Sequence, residues 1–172
     1  MEPESLATVA VDGAQIVCRA IGKGPPLLVL NGFAATSADW DPSFIDGLAS
    51  FNELILLNNR GIGGSTDNGQ SFDVAKLADD AADVIETLGF ERTSVLGWSM
   101  GGFIAQALAL QHPNRVDRLV LLSTDSGGTD AGLASPGAWL AQFPRSGHAF
   151  LAQYPQAAAE LINSFLAFDD AR

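Results

Sequence analysis

The segment Thr93-Ser94-Val95-Leu96-Gly97-Trp98-Ser99-Met100-Gly101-Gly102 runs from a short strand-forming stretch into a serine framed by glycines. It then enters an apolar helix-forming run, Met100 to Leu110, that stops before Pro113. A sharp turn from strand to helix forces the residue at its apex into a strained backbone conformation and exposes its side chain. The residues two before and two after the serine come so close to the turn that side chains would collide. Glycine is therefore favoured at positions 97 and 101. The start of the helix also points free N–H groups at the same spot, where a developing negative oxygen can be held.

Outward from this turn the pattern alternates strand and helix. Towards the N-terminus, Leu6–Val11 and Gln15–Ala20 flank Asp12-Gly13 and predict an antiparallel hairpin. Pro26–Leu30 is a continuous apolar run, expected of a strand buried on both faces, and Glu53–Leu57 is a second. A helix is expected within Ser37–Ser50, with Pro42 near its start or at a break. Another is expected between Asp73 and Leu88, where Val74, Leu77, Ala81, Val84, Ile85 and Leu88 share one face and Gly89 ends the run. Beyond the turn follow a strand, Val116–Leu122, a last strand at Ala138–Phe143 and a closing helix, Gln156–Phe168, with Leu161, Ile162, Phe165 and Leu166 directed inward. Such alternation implies an α/β fold with a mostly parallel sheet and helices on both faces, binding ligands at the carboxyl ends of its strands. The 172 residues suit one domain spanning 1–172.

Composition narrows the function classes. A hydrophobic share of 47% permits a well-buried sheet and argues against disorder. The net charge of −11 disfavours nucleic acid and anionic membrane surfaces as partners. No apolar run approaches the roughly 20 residues of a membrane span. Met1 to Ser5 lacks the basic start and apolar middle of a signal peptide, and a single cysteine, Cys18, excludes an internal disulfide. A cytoplasmic location is expected, with no metal and no organic cofactor. The acidic pairs Asp79-Asp80 and Asp169-Asp170 read as solvated faces without a function.

Taken with its strand and helix, the Gly97-Trp98-Ser99-Met100-Gly101 turn resembles the nucleophile elbow of the α/β-hydrolase family, in particular its small bacterial esterase, lactonase and haloperoxidase-like members. Two further segments carry the resemblance. Leu28-Val29-Leu30-Asn31-Gly32-Phe33 resembles the family's oxyanion loop, with Asn31 where a histidine is usual. Asn59-Arg60-Gly61-Ile62-Gly63-Gly64-Ser65 resembles its glycine-rich D-x-R-G-x-G-x-S loop, with Asn58 in place of the acidic residue. The resemblance implies Ser99 as nucleophile and the backbone N–H groups of Phe33 and Met100 as oxyanion donors. Trp98 and Phe33 are expected to line the substrate pocket, and Trp40 serves there or in the core.

A serine hydroxyl needs a neighbouring base. Of the two histidines, His112 precedes Pro113 at a helix stop and reads as structural. His148, in Ser146-Gly147-His148-Ala149, resembles the family's closing segment and is the candidate base. Between Leu122 and Ala138 stand only Ser123 to Gly137, too few for a lid of ordinary size. No seventh strand carrying an acid is evident, so the fold reads as minimal, lidless and one strand short. Asp125, directly after the sixth strand, is the candidate third member; Asp130 or a bare Ser–His dyad are the alternatives.

These readings imply hydrolysis of a small-molecule ester or lactone in an open pocket; a cofactor-free haloperoxidase or perhydrolase side activity on the same residues is an alternative. Dehalogenation is disfavoured, because it uses an aspartate where this chain has Ser99. The competing expectation is a ligand-binding or interaction protein that lost turnover with its acid and lid. A homodimer covering an exposed sheet edge is a further expected consequence of the shortening.

Overall fold

The apolar runs become a six-stranded sheet in the order β1-β2-β4-β3-β5-β6. The computed structural model describes residues 5–124 and 153–167. β1 (Ser5–Val11) and β2 (Ala14–Ile21) form the expected hairpin, with Asp12 and Gly13 both at positive φ in the turn between them. β2 then lies antiparallel to β4 (Glu53–Leu57). From there the sheet is parallel through β3 (Pro26–Leu30), β5 (Thr93–Trp98) and β6 (Val116–Leu122). Leu27, Leu28, Val29 and Leu30 of β3 are all fully buried, because both faces of the central strand are covered.

The two faces carry separate cores. On one, α2 (Val74–Thr87) and α3 (Met100–Gln111) pack Leu77, Ala81, Val84, Ile85, Ile104 and Leu108 onto Ile16, Leu28, Leu30 and Ile55. On the other, α1 (Pro42–Ala49) and α4 (Pro155–Leu166) set Phe44, Ile45, Leu48 and Ile162 against Leu27, Val29, Leu54 and Leu56. Alternate residues of each strand thus serve opposite helix layers, as the pleat requires.

Local signals account for the helix ends. Asp41 caps α1 by accepting from the Phe44 N–H at 3.1 Å, and Pro42 occupies the first turn, so the helix is shorter than Ser37–Ser50. Asp73 caps α2 by accepting from the Lys76 N–H at 2.9 Å. Val74 is exposed rather than inward, since it precedes the first full turn. α4 buries Ala158, Ala159 and Ile162, while Leu161 and Phe165 are only half-buried. Small residues face α1 there because the helices meet closely: a Cβ on Gly47 would stand 2.7 Å from that of Ala159. Asn163 completes the junction, donating to the Gly47 carbonyl and accepting from Asn52, both at 2.9 Å. No described helix is long and apolar enough to cross a membrane. The expected strand Ala138–Phe143 and the shortened connection before it lie largely or wholly outside the described residues.

Candidate active site

Ser99 occupies the single position between the end of β5 and the start of α3, at φ 55° and ψ −119°. A side chain held in so sparsely populated a region costs about 1–3 kcal/mol and persists only where its surroundings enforce it. Here the enforcement is visible. The Ser99 N–H donates to the Leu122 carbonyl at the end of β6, and its carbonyl accepts from the Gly102 N–H, each at 2.9 Å. A Cβ on Gly97 would stand 2.2 Å from the Gly101 oxygen, the collision across the turn that the sequence suggested. One on Gly101 would stand 2.2 Å from the Leu30 oxygen, so its constraint comes from β3 instead. The glycines let β3, β5 and α3 converge on one half-buried serine.

The Gly32-Phe33 segment leaves β3 beside it. A Cβ on Gly32 would lie 3.5 Å from that of Ser99 and 2.9 Å from the Trp98 ring. Met100 is the first residue of α3, so its N–H has no intrahelical acceptor. Neither this N–H nor that of Phe33 has an acceptor among the described residues. The helix dipole favours negative charge at the same end. The Phe33 side chain is 81% exposed, whereas Trp98 is half-buried and meets the edge of Trp40 with ring centres 5.8 Å apart. Trp40 is a core residue, 8% exposed and stacked on Phe44.

Two buried polar assemblies support this edge. Asn31, fully buried, donates to the Leu57 carbonyl at 2.7 Å and accepts from the Trp40 indole N–H at 2.6 Å. Asn58 accepts from the Ser37 N–H and donates to the Gly63 carbonyl, each at 2.7 Å, and so ties the segment after β3 to the loop after β4. Both asparagines stand where the family resemblance expected another residue, and each satisfies backbone groups through its side-chain amide.

Asp80 corrects the reading of Asp79-Asp80 as a solvated pair. It is buried and holds Arg60 in a two-pronged ion pair, Nε to Oδ2 at 2.8 Å and Nη2 to Oδ1 at 2.7 Å. The contact holds the Arg60 guanidinium above its ordinary range. The signal was present in the sequence: position 80 lies three after Leu77 and four before Val84, inside the apolar stripe of α2. Asp79, by contrast, is half-exposed and lies 2.8 Å from Nε2 of His112, which caps α3 as a structural residue.

His148, Asp125 and Asp130 lie outside the described residues. The chain reaches Thr124 packed on the first turn of α3, where a Cβ on Gly102 would meet it at 2.4 Å. Among the described residues there is no group of three or more His, Cys, Asp or Glu that could hold a metal ion.

Comparison with known proteins agrees with this architecture. A Mycobacterium tuberculosis protein named as a candidate non-heme bromoperoxidase, BpoC, is 36% identical over 104 residues, covering 60% of this chain and 39% of its own length. The pimeloyl-[acyl-carrier protein] methyl ester esterase of Aeromonas hydrophila is 33% identical over the same number of residues, covering 60% and 39%. The solved epoxide hydrolase CorEH superposes with a TM-score of 0.68 at 26% identity, over 94% of this chain and 56% of that one. The chain thus spans 39% of the length of the two curated relatives and 56% of the solved hydrolase. The model of the alpha/beta hydrolase fold matches residues 25–169, most of the chain. With this match, the strand order and the strained serine turn, the chain belongs to the α/β-hydrolase family.

Proposed function

We propose that the protein is a serine hydrolase that cleaves small carboxylic esters or lactones through an acyl-enzyme on Ser99. The observation that carries this reading is the strained Ser99 turn, with the Gly32-Phe33 segment and the first turn of α3 on either side. His148 takes the hydroxyl proton as Oγ bonds to the carbonyl carbon. The oxyanion is held by the N–H groups of Phe33 and Met100. Collapse breaks the bond to the alkoxy group, which leaves as the alcohol with the proton from His148. His148 then deprotonates a water, which attacks the acyl carbon, releases the acid and restores Ser99. Asp125 orients the imidazole and stabilises its charged form.

Ester cleavage fits Ser99 better than epoxide opening does. Serine attack on an epoxide carbon leaves an ether, which water does not readily cleave, whereas an acyl-serine hydrolyses. Phe33, 81% exposed next to Gly32, offers an apolar surface for a small acyl group.

The test is hydrolysis of p-nitrophenyl acetate and butyrate by the protein and by Ser99→Ala, with organophosphonate labelling located by mass spectrometry. Turnover lost in Ser99→Ala and a label on Ser99 are expected. Equal rates in both proteins, with no label, would sink the esterase reading and favour a binding role.

A further inference from the structure

We infer that Asn31 and Trp40 are positioning residues that together set the Gly32-Phe33 peptide against Ser99. The inference deepens the serine-hydrolase reading and rests on it for its kinetic consequence. Asn31 directly follows β3, with no solvent exposure, and both ends of its amide are used across elements. Nδ2 donates to the carbonyl of Leu57, the last residue of the neighbouring β4, and Oδ1 accepts from Trp40, which stands just before α1. The side chain thus fixes the point at which the chain leaves β3 for Gly32 and Phe33.

Trp40 closes the circuit. Its indole is held by Asn31 on one side and stacked on Phe44 on another, and it meets Trp98 edge-on. Trp98 precedes Ser99 and lies on Gly32, where no side chain fits beneath its ring. The Asn31–Trp40 hydrogen bond therefore connects the strand that launches the oxyanion peptide with the residue that precedes the nucleophile. The Asn31 carbonyl adds a third constraint, since a Cβ on Gly101 would stand 2.7 Å from it. An oxyanion donor must be aimed at where charge develops, and a small displacement is costly. A buried hydrogen-bonded amide with two partners is a rigid means of aiming it.

The test uses the whole chain. Trp40→Phe keeps an aromatic ring against Phe44 and Trp98 and removes the indole N–H. Asn31→Ala removes both hydrogen bonds but endangers the fold, so Trp40→Phe is the main variant. Asn31→His, whose neutral ring donates at one nitrogen and accepts at the other, is the rescue. In Trp40→Phe, the amide resonances of Gly32 and Phe33 are expected to shift or exchange faster with solvent, while those of β1 and β2 stay in place. kcat for p-nitrophenyl butyrate, per Ser99 titrated with organophosphonate, is expected to fall about tenfold, with KM changing less than about twofold. Asn31→His is expected to retain most of the kcat that Asn31→Ala loses. A merely structural role would lower thermal stability and leave kcat per titrated site unchanged, and that result overturns the inference. Unmoved Gly32 and Phe33 amides overturn it whether or not the protein turns over. If the unaltered protein neither labels nor hydrolyses ester, the serine-hydrolase reading fails, while the amide measurement still decides whether Asn31 and Trp40 position the peptide.

Discussion

Two loops leave the same carboxyl edge of the sheet, one after β5 and one after β4, and they are built on opposite terms. The first is a single residue, Ser99, held at a positive φ by the tight approach of Gly97 and Gly101 to backbone oxygens. The second, residues 58–66, is a scaffold of buried polar side chains. Asn58, Asn59, Arg60 and Ser65 are each less than 8% exposed. The Ser65 hydroxyl accepts from the Val17 N–H and donates to the Asn58 carbonyl, both at 2.8 Å. Arg60 reaches Asp80, and Lys76 joins Asp80 to Asp12 of the hairpin turn at 3.3 and 2.7 Å. Strain, with two N–H groups beside it that have no acceptor among the described residues, suits chemistry. A loop whose side chains are mostly paired holds the neighbouring elements still.

The largest difference between the two loops is expected at Ser99. Ser99→Ala is expected to lower ester turnover by at least about a thousandfold, with the folded state intact by circular dichroism. A residual rate above that would move the chemistry elsewhere. Next in size is Asp80→Ala, which leaves the Arg60 charge buried without its partner. We expect a loss of about 3–5 kcal/mol in chemical denaturation, with kcat per titrated site unchanged. A stability change below about 1 kcal/mol would mean that the second loop does not depend on this pair. Gly97→Ala forces a methyl group onto a backbone oxygen and is expected to cost about 3 kcal/mol and to abolish turnover in the molecules that still fold. Ser99→Gly should do the reverse for stability: relieving the backbone strain makes it more stable than Ser99→Ala by about 1 kcal/mol, measured by thermal unfolding.

The last effect appears only at alkaline pH and belongs to the scaffold side. Cys18 lies on β2 beside Val17, and burial pushes its thiol from 9.0 up to about 12. Its folded value is raised, so the unfolded chain loses the proton first. Stability is therefore fully present below pH 9 and declines as pH rises from there towards 12. Cys18→Ala should flatten this part of the pH dependence in denaturation midpoints measured at pH 8 and pH 10. An identical slope in the two proteins would assign the alkaline loss to other groups.

Much of the first loop, and less of the second, was legible in the chain. The serine loop was readable because its chemistry is local: strand, glycine, serine, glycine and helix occupy one short segment, and sterics dictate the spacing. The hairpin turn at Asp12-Gly13 and the doubly buried β3 were readable for the same reason. The second loop was legible as a glycine-rich run resembling a family loop, but not as a scaffold of buried polar side chains. Asp79-Asp80 looked like a solvated pair, because adjacent charges usually are, yet the helical phase separates them by about 100° and turns only Asp80 inward. Asn31 and Asn58 showed as departures from the family pattern. Nothing local could show that their amides would meet Trp40, Leu57, Ser37 and Gly63.

Local patterns in the chain were enough to establish the α/β alternation, the strand-to-helix serine turn and the resemblance to the family. Periodicity and steric crowding act between residues close in the chain, so they can be read directly. The folded arrangement of the sheet, by contrast, set β3 and β4 side by side, so that one buried asparagine bridges them. It also paired Arg60 with Asp80, 20 residues away, and directed Trp40 into the core behind the serine rather than out into a pocket. Those outcomes depend on desolvation. A buried amide, indole or guanidinium must find a partner wherever the folded chain supplies one, and no local spacing records which partner that will be.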